Sequence, residues 1–300
     1  MNPFKLIRTV LMVYCFLFAT DNYTAMANEP SAAEYGVVIN LAGKQRMLSQ
    51  KMSKEVLLIH LNHEKQRQLT SLKATAALFD KTLTGLRDGD ESLGLPPTSS
   101  RRILRQIDQK IHPVWNPFYS HIKGILDTKN VSPDQLEAIV RLNPVLLSEM
   151  NKCVKLYEKE AAKTGLKSDP ALAVTINLSG KQRMLSQKMS KEFLLIASRY
   201  QVEENRLNLQ ETYGLFERTL KGLLDGDPTL DLTGTKDPAI QTQLKKIQTL
   251  WEAFKPLVEP AAQTKQDITA DQIARVAELN LPLLTEMNTA VKMYERLASN

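Results

Sequence analysis

Three hundred residues with 39 Lys+Arg against 33 Asp+Glu, a net charge of +6, fit two domains of ordinary size. That mild excess suits a soluble exported chain, or one drawn to anionic surfaces, better than it suits a nucleic-acid binder. Glycine (12) and proline (14) are sparse and clustered, and alternating β-branched runs are absent, so the class is all-α.

The chain opens with Lys5 and Arg8 ahead of an apolar run, Val10 to Ala19, too short to span a bilayer as a helix. Ala25-Met26-Ala27 then fits a small-residue cleavage site. Residues 1–27 therefore read as a signal peptide, cut near Ala27, that delivers the chain to the periplasm; an uncleaved anchor is the lesser alternative. Cleavage would remove Cys15 and leave Cys153 without a partner. Cys153 is matched by Ala290 in the second half, so it reads as a buried small residue.

Four helices are expected next, at Ala33–Leu61, Glu64–Arg87, Ser100–Leu126 and Pro133–Ala162, making a first bundle over 33–162. Four more follow at Ala171–Arg199, Val202–Leu224, Asp237–Ala262 and Ala270–Ala298, a second bundle over 171–298. The junction near Asn62-His63 has no strong breaker, so a bent continuous helix is open there. Asp88-Gly89-Asp90 and Asp225-Gly226-Asp227 close the second helices, with glycine suited to a left-handed cap. Too few oxygen ligands follow for a calcium loop. Pro144 and Pro282 fall inside the fourth helices and should kink or break them. Trp115 and Trp251, at near-equivalent places in the third helices, read as core.

The two halves are copies, but unevenly so. Ile39–Ile59 and Ile176–Ile196 agree at 19 of 21 positions, differing only at Ala42/Ser179 and Val56/Phe193. The next 19 residues agree at three. Something holds this one segment fixed. At 100° per residue it has three faces. Leu41, Gln45, Leu48, Met52, Val56 and Ile59 make a core stripe. Asn40, Lys44, Met47, Lys51 and Glu55 make a charged stripe, most simply a solvated one. Ile39, Ala42, Gly43, Arg46, Gln50 and Ser53, with Ser49 at the edge, make a small-residue stripe around one arginine. Glycine inside a helix costs about 0.8–1 kcal/mol relative to alanine, which points to close approach of a backbone or a ligand.

The pattern I-N-x-[AS]-G-x-x-R-M-x-S-x-[KR] resembles the signature of PilJ-type and NarX-type periplasmic sensor domains, modules of nitrate/nitrite sensor kinases and of chemotaxis-type transducers linked to type IV pili. Lys44-Gln45 and Lys181-Gln182 are nearer the PilJ-type pattern. The resemblance implies antiparallel four-helix bundles paired through their first helices, with one anion on the two-fold axis between paired arginines. Carried over by position, the ligand-binding residues are Arg46 and Arg183 with Gly43 and Gly180. Ser49, Ser186, Gln50 and Gln187 are placed to add neutral hydrogen bonds. A short connector at Lys163–Pro170 would let one chain form, about a pseudo-two-fold axis, what related sensors make as a dimer, so the protein is expected to be a monomer. Two guanidinium groups about 6 Å apart at an effective dielectric near 20 repel by roughly 3 kcal/mol. A monovalent anion between them reverses the sign, and the planar donor fork suits flat oxyanions.

No glycine-rich phosphate loop, nucleophile elbow or zinc-ligand spacing appears, so neither an enzyme nor a cofactor is expected. His60 and His63 sit at i,i+3 spacing, but the second copy has Ala197 and Tyr200 there, so no metal is expected either. The first functional expectation is a periplasmic protein that binds a small inorganic oxyanion, nitrate- or nitrite-like, and presents it to a membrane receptor or transporter. The alternative is a ligand-free helical module docking onto a membrane sensor, a chemotaxis transducer or a pilus/envelope assembly. A third reading places Lys44, Lys51, Lys54 and their counterparts on a membrane surface. No transmembrane candidate follows the signal peptide, so the chain is expected to lack a signalling region of its own.

Overall fold

The computed structural model describes residues 32–163 and 170–299; the segment 1–27 read as a signal peptide and the middle of the connector lie outside them. The first half holds α1 (Ala32–His60), α2 (Lys65–Asp88) and α3 (Arg101–Gln106), which continues through a π turn at Ile107–Ile111 into α4 (His112–Thr128), and then α5 (Pro133–Lys163). The second half holds α6 (Pro170–Ala197), α7 (Val202–Asp225), α8 (Pro238–Gln263) and α9 (Ala270–Ser299). Every helix expected from the pattern is present, with ends shifted by at most two residues. In each half the first helix packs on the second and fourth, and the third closes the ring. Across the halves, α1 lies along α6. The fold is all-α: two tandem four-helix bundles joined through their first helices.

That arrangement explains the uneven copying. From Gln45 to Ile59 every residue but Lys51 is buried, and from Gln182 to Ile196 every residue but Lys188. A helix pressed on three sides, by α2, α5 and α6, has no free face on which to drift. The stripe expected to be solvated is therefore mostly inside. Glu55 is buried and accepts hydrogen bonds from Lys51, Ser71 and Thr75, tying α1 to α2. Lys188 repeats the bridge with Glu192 and Thr212.

The junction after α1 is a true break. Asn62 and Glu64 take left-handed backbone angles (φ 55° and 44°), as do Arg199 and Gln201 after α6 (φ 56° and 44°). The His63 amide caps back onto the Leu58 carbonyl at 2.9 Å, a Schellman-type closure made without glycine. The glycines after α2 and α7 differ from expectation too. Gly89 and Gly226 sit at φ 89°, ψ 151° and φ 95°, ψ 151°, an extended positive-φ region open essentially to glycine alone. Asp90 and Asp227 then cap the short 3-10 turns Glu91–Leu93 and Pro228–Leu230 through the Leu93 and Thr229 amides.

Pro144 and Pro282 interrupt neither α5 nor α9. The π turn accounts for a register slip between the halves. Gln106 and Gln243, 137 residues apart, bond identically to the carbonyl and carboxylate of Glu149 and Glu286. Trp115 and Trp251, beyond the turn, are 136 apart. The first half carries one extra residue, and the wider π turn absorbs it. Both tryptophans are core as expected: the Trp115 ring lies tilted 4.2 Å from Phe79 and its Nε1–H donates to Asp80, and Trp251 lies 4.8 Å from Phe216. Cys153 is fully buried opposite the role of Ala290, and burial pushes its thiol up to about 12.

Candidate functional site

Two buried polar layers cross the α1–α6 seam, and each is reciprocal. In the deeper one, Lys54 of α1 donates to Asn280 Oδ1 of α9 at 2.6 Å, and the Asn280 amide donates to the Ser186 carbonyl of α6 at 2.9 Å. The mirror set runs from Lys191 to Asn143 Oδ1 at 3.1 Å and from Asn143 to the Ser49 carbonyl at 2.9 Å. Residue 54 of one helix thus lies level with residues 186–191 of the other. The motif helices run in the same direction, related by a pseudo-two-fold axis.

The second layer holds the arginines. Arg46 and Arg183 are 7% and 5% exposed. Arg46 reaches Asn177 of the opposite motif helix (Nη2 to Oδ1, 3.3 Å) and Asn151 of α5 (Nη1 to Oδ1, 3.3 Å). Arg183 reaches Asn40 of α1 at 3.0 Å and Asn288 of α9 at 3.5 Å. Each Nε–H turns back onto a carbonyl of its own helix, Gly43 or Gly180, at 3.4 and 3.5 Å. The acceptors in these bonds are amide and carbonyl oxygens. Burial lowers the affinity of Arg46 for its proton, against the pull of Glu158, and brings Arg183 down to about 10, opposed by Glu295 and assisted by the charge of Arg46. Lys44 and Lys181 stand at the edge of the layer. Both are lowered by partial burial and then by an arginine of the other half, Arg183 for Lys44 and Arg46 for Lys181.

The glycines serve the arginines rather than a neighbouring backbone. A Cβ on Gly43 would meet only Arg46 Nη2, at 3.3 Å, and one on Gly180 only Arg183 Nη2, at 3.4 Å. Gly43→Ala with Gly180→Ala should gain about 0.8–1 kcal/mol of helix propensity each and lose part of it by tipping the guanidinium. Urea denaturation is expected to show a net change within about 1 kcal/mol per site. A clearly larger loss would mean that helix contact, not the arginine, demands glycine.

Ser49, Ser186, Gln50 and Gln187 are all buried in the same seam, but their bonds run along their own helices. Ser49 and Ser186 donate to the Arg46 and Arg183 carbonyls, and Gln50 and Gln187 donate to those serine hydroxyls. The structure does not bring these side chains onto the guanidinium groups. It does bring in residues that the sequence reading left aside: Asn40, Asn177, Asn151, Asn288 and the lysine layer. The surface role fails for Lys54 and Lys191, which are buried in the seam, while Lys44, Lys51, Lys181 and Lys188 are half-buried. One signal could have exposed them, since a solvated stripe would have diverged between the copies as the following residues did.

Two helical bundles are thus joined along a polar, buried seam, and no metal-ligating cluster occurs among the described residues. Residues 31–141 and 166–276 match the family described as PilJ, "Type IV pili methyl-accepting chemotaxis transducer N-term". The chain belongs to this family, in two copies. It is also similar to the methyl-accepting chemotaxis protein McpN of Pseudomonas aeruginosa, 27% identical over 151 residues, which are 50% of this chain. The match spans 27% of that relative's length. Among the described residues no helix is long and apolar enough to cross a membrane.

Proposed function

We propose that this protein is a periplasmic sensing module that binds a small inorganic oxyanion between Arg46 and Arg183 and presents it to a membrane-bound receptor or transporter. One observation carries the reading: two buried guanidinium groups from opposite halves meet in one layer, and their partners there are uncharged amides and carbonyls. Buried charges are normally paired. Three of the five N–H donors on each arginine are accounted for by these bonds, which leaves one hydrogen on each terminal nitrogen. A flat oxyanion would accept from those hydrogens and add its negative charge to that of the more distant Glu158 and Glu295 carboxylates. Delivery by the signal peptide 1–27 belongs to the same proposal.

Residues 28–300 would be screened by thermal shift and calorimetry against nitrate, nitrite, sulfate and phosphate. A true ligand at a hundredfold excess over Kd adds about 2.7 kcal/mol of stability. The shift is expected to vanish in Arg46→Ala/Arg183→Ala. No shift with any of these anions, or one that survives the double substitution, defeats the reading. The second reading, a ligand-free docking module, draws on the four asparagines that already engage the arginines. It predicts a co-purifying membrane receptor whose binding persists without Arg46 and Arg183.

A further inference from the structure

The arginine layer has a feature that neither half can supply alone. Within each motif the asparagine precedes the arginine by six residues, yet Asn40 bonds Arg183 and Asn177 bonds Arg46. The exchange follows from parallel packing, since a long side chain on a helix leans toward the N-terminus. Arginine at one level therefore reaches down to the amide of its neighbour.

We propose that Asn40 and Asn177 are positioning residues of the anion site, each supplied in trans to the arginine of the other half. This rests on the anion reading above and adds its geometry. The cross-seam amide fixes Nη2, while Asn151 or Asn288 fixes Nη1 and the glycine carbonyl fixes Nε. Held at three nitrogens, the guanidinium plane cannot swing, and the remaining terminal hydrogens keep one orientation for a bidentate acceptor. The residue type matters as well. An amide oxygen orients a guanidinium without neutralising it, whereas a carboxylate there would take the place of the anion.

Two substitutions and one cycle test this, with sodium nitrate, nitrite and phosphate as probes. Asn40→Asp/Asn177→Asp should melt at or above the parent temperature and bind the responding anion at least a hundredfold more weakly. Asn40→Ala/Asn177→Ala should weaken binding about tenfold. In the anion-free protein, a double-mutant cycle on unfolding should couple Asn40→Ala with Arg183→Ala by several-fold in the equilibrium constant. It should find Asn40→Ala additive with Arg46→Ala. Binding unchanged in the aspartate variant overturns the proposal, as does coupling of Asn40 to Arg46 in place of Arg183. If the parent protein answers none of the anions, the anion reading fails and the positioning role with it, while the anion-free cycle still decides the trans pairing. A folded parent that binds anion, with both asparagine variants binding equally well, sinks the positioning role alone.

Discussion

Asn143→Leu and Asn280→Leu are each expected to cost about 3 kcal/mol, and about twice that together. Both asparagines are buried, and each does two jobs, accepting from a lysine of the other half and donating to a serine carbonyl of its own. Leucine fills the space but offers neither bond. The lysine can escape its lost partner by shedding a proton. With burial bringing Lys54 and Lys191 down to about 8 in the fold, that escape costs on the order of 1 kcal/mol at pH 7. The orphaned serine carbonyl adds about 1–3 kcal/mol. Denaturant titrations at pH 7 would check the sum, and adding Lys191→Met to Asn143→Leu should recover the lysine share only. A loss below about 1 kcal/mol per site would mean that lysine and carbonyl both find other partners.

The same lysines should make the protein more stable in mild alkali. Burial brings both from 10.5 to about 8, with the neighbouring carboxylates Glu55 and Glu192 opposing. The folded value lies below the unfolded one, so between pH 8 and pH 10.5 the unfolded chain holds more protons and stability rises with pH. The pair should contribute about 2 kcal/mol between pH 8 and pH 9. Buried Cys153, raised from 9.0 to about 12, works the other way because its thiol ionises first in the unfolded chain. Tyr157 and Tyr294, raised by burial above 10.0, do the same at higher pH. The rise is therefore clearest before pH 9. It should be largely lost in Lys54→Met/Lys191→Met, measured by urea unfolding at half-unit steps, with only a smaller rise left from Lys44 and Lys181, which burial also lowers. A parent profile that stays flat or falls from pH 8 to pH 9, or a rise of undiminished size in the double variant, contradicts the assignment.

Much of the fold was legible because helical periodicity, cap residues and the duplicated segment all report local structure. Helix ends, the tryptophan core and the pairing of first helices followed from those signals. What periodicity could not convey was which polar side chains are inside. Asn40, Lys51 and Glu55 look like a wet stripe because polar side chains usually mean solvent, but Lys51 and Glu55 are taken up by Ser71 and Thr75 of α2 and Asn40 by Arg183 of the other half. Gly43 points by its cost to close approach of a backbone or a ligand, yet the neighbour that a Cβ would meet is Arg46, three residues on along the same stripe. The junctions at Asn62 and Arg199 fall where the pattern ends its first helices, but a bent continuous helix stayed open there because left-handed backbone is made by residues other than glycine.

Carrying both halves of a two-fold assembly on one polypeptide has an evolutionary consequence. A receptor built from identical subunits meets every substitution twice, so its axis stays strict. Here a change enters on one side only. Among the described residues the π turn is found in the first half alone, and Ala290 stands where that half keeps Cys153. Lopsidedness accumulates mostly away from the spine, where 19 of 21 positions still match and the two copies must interlock.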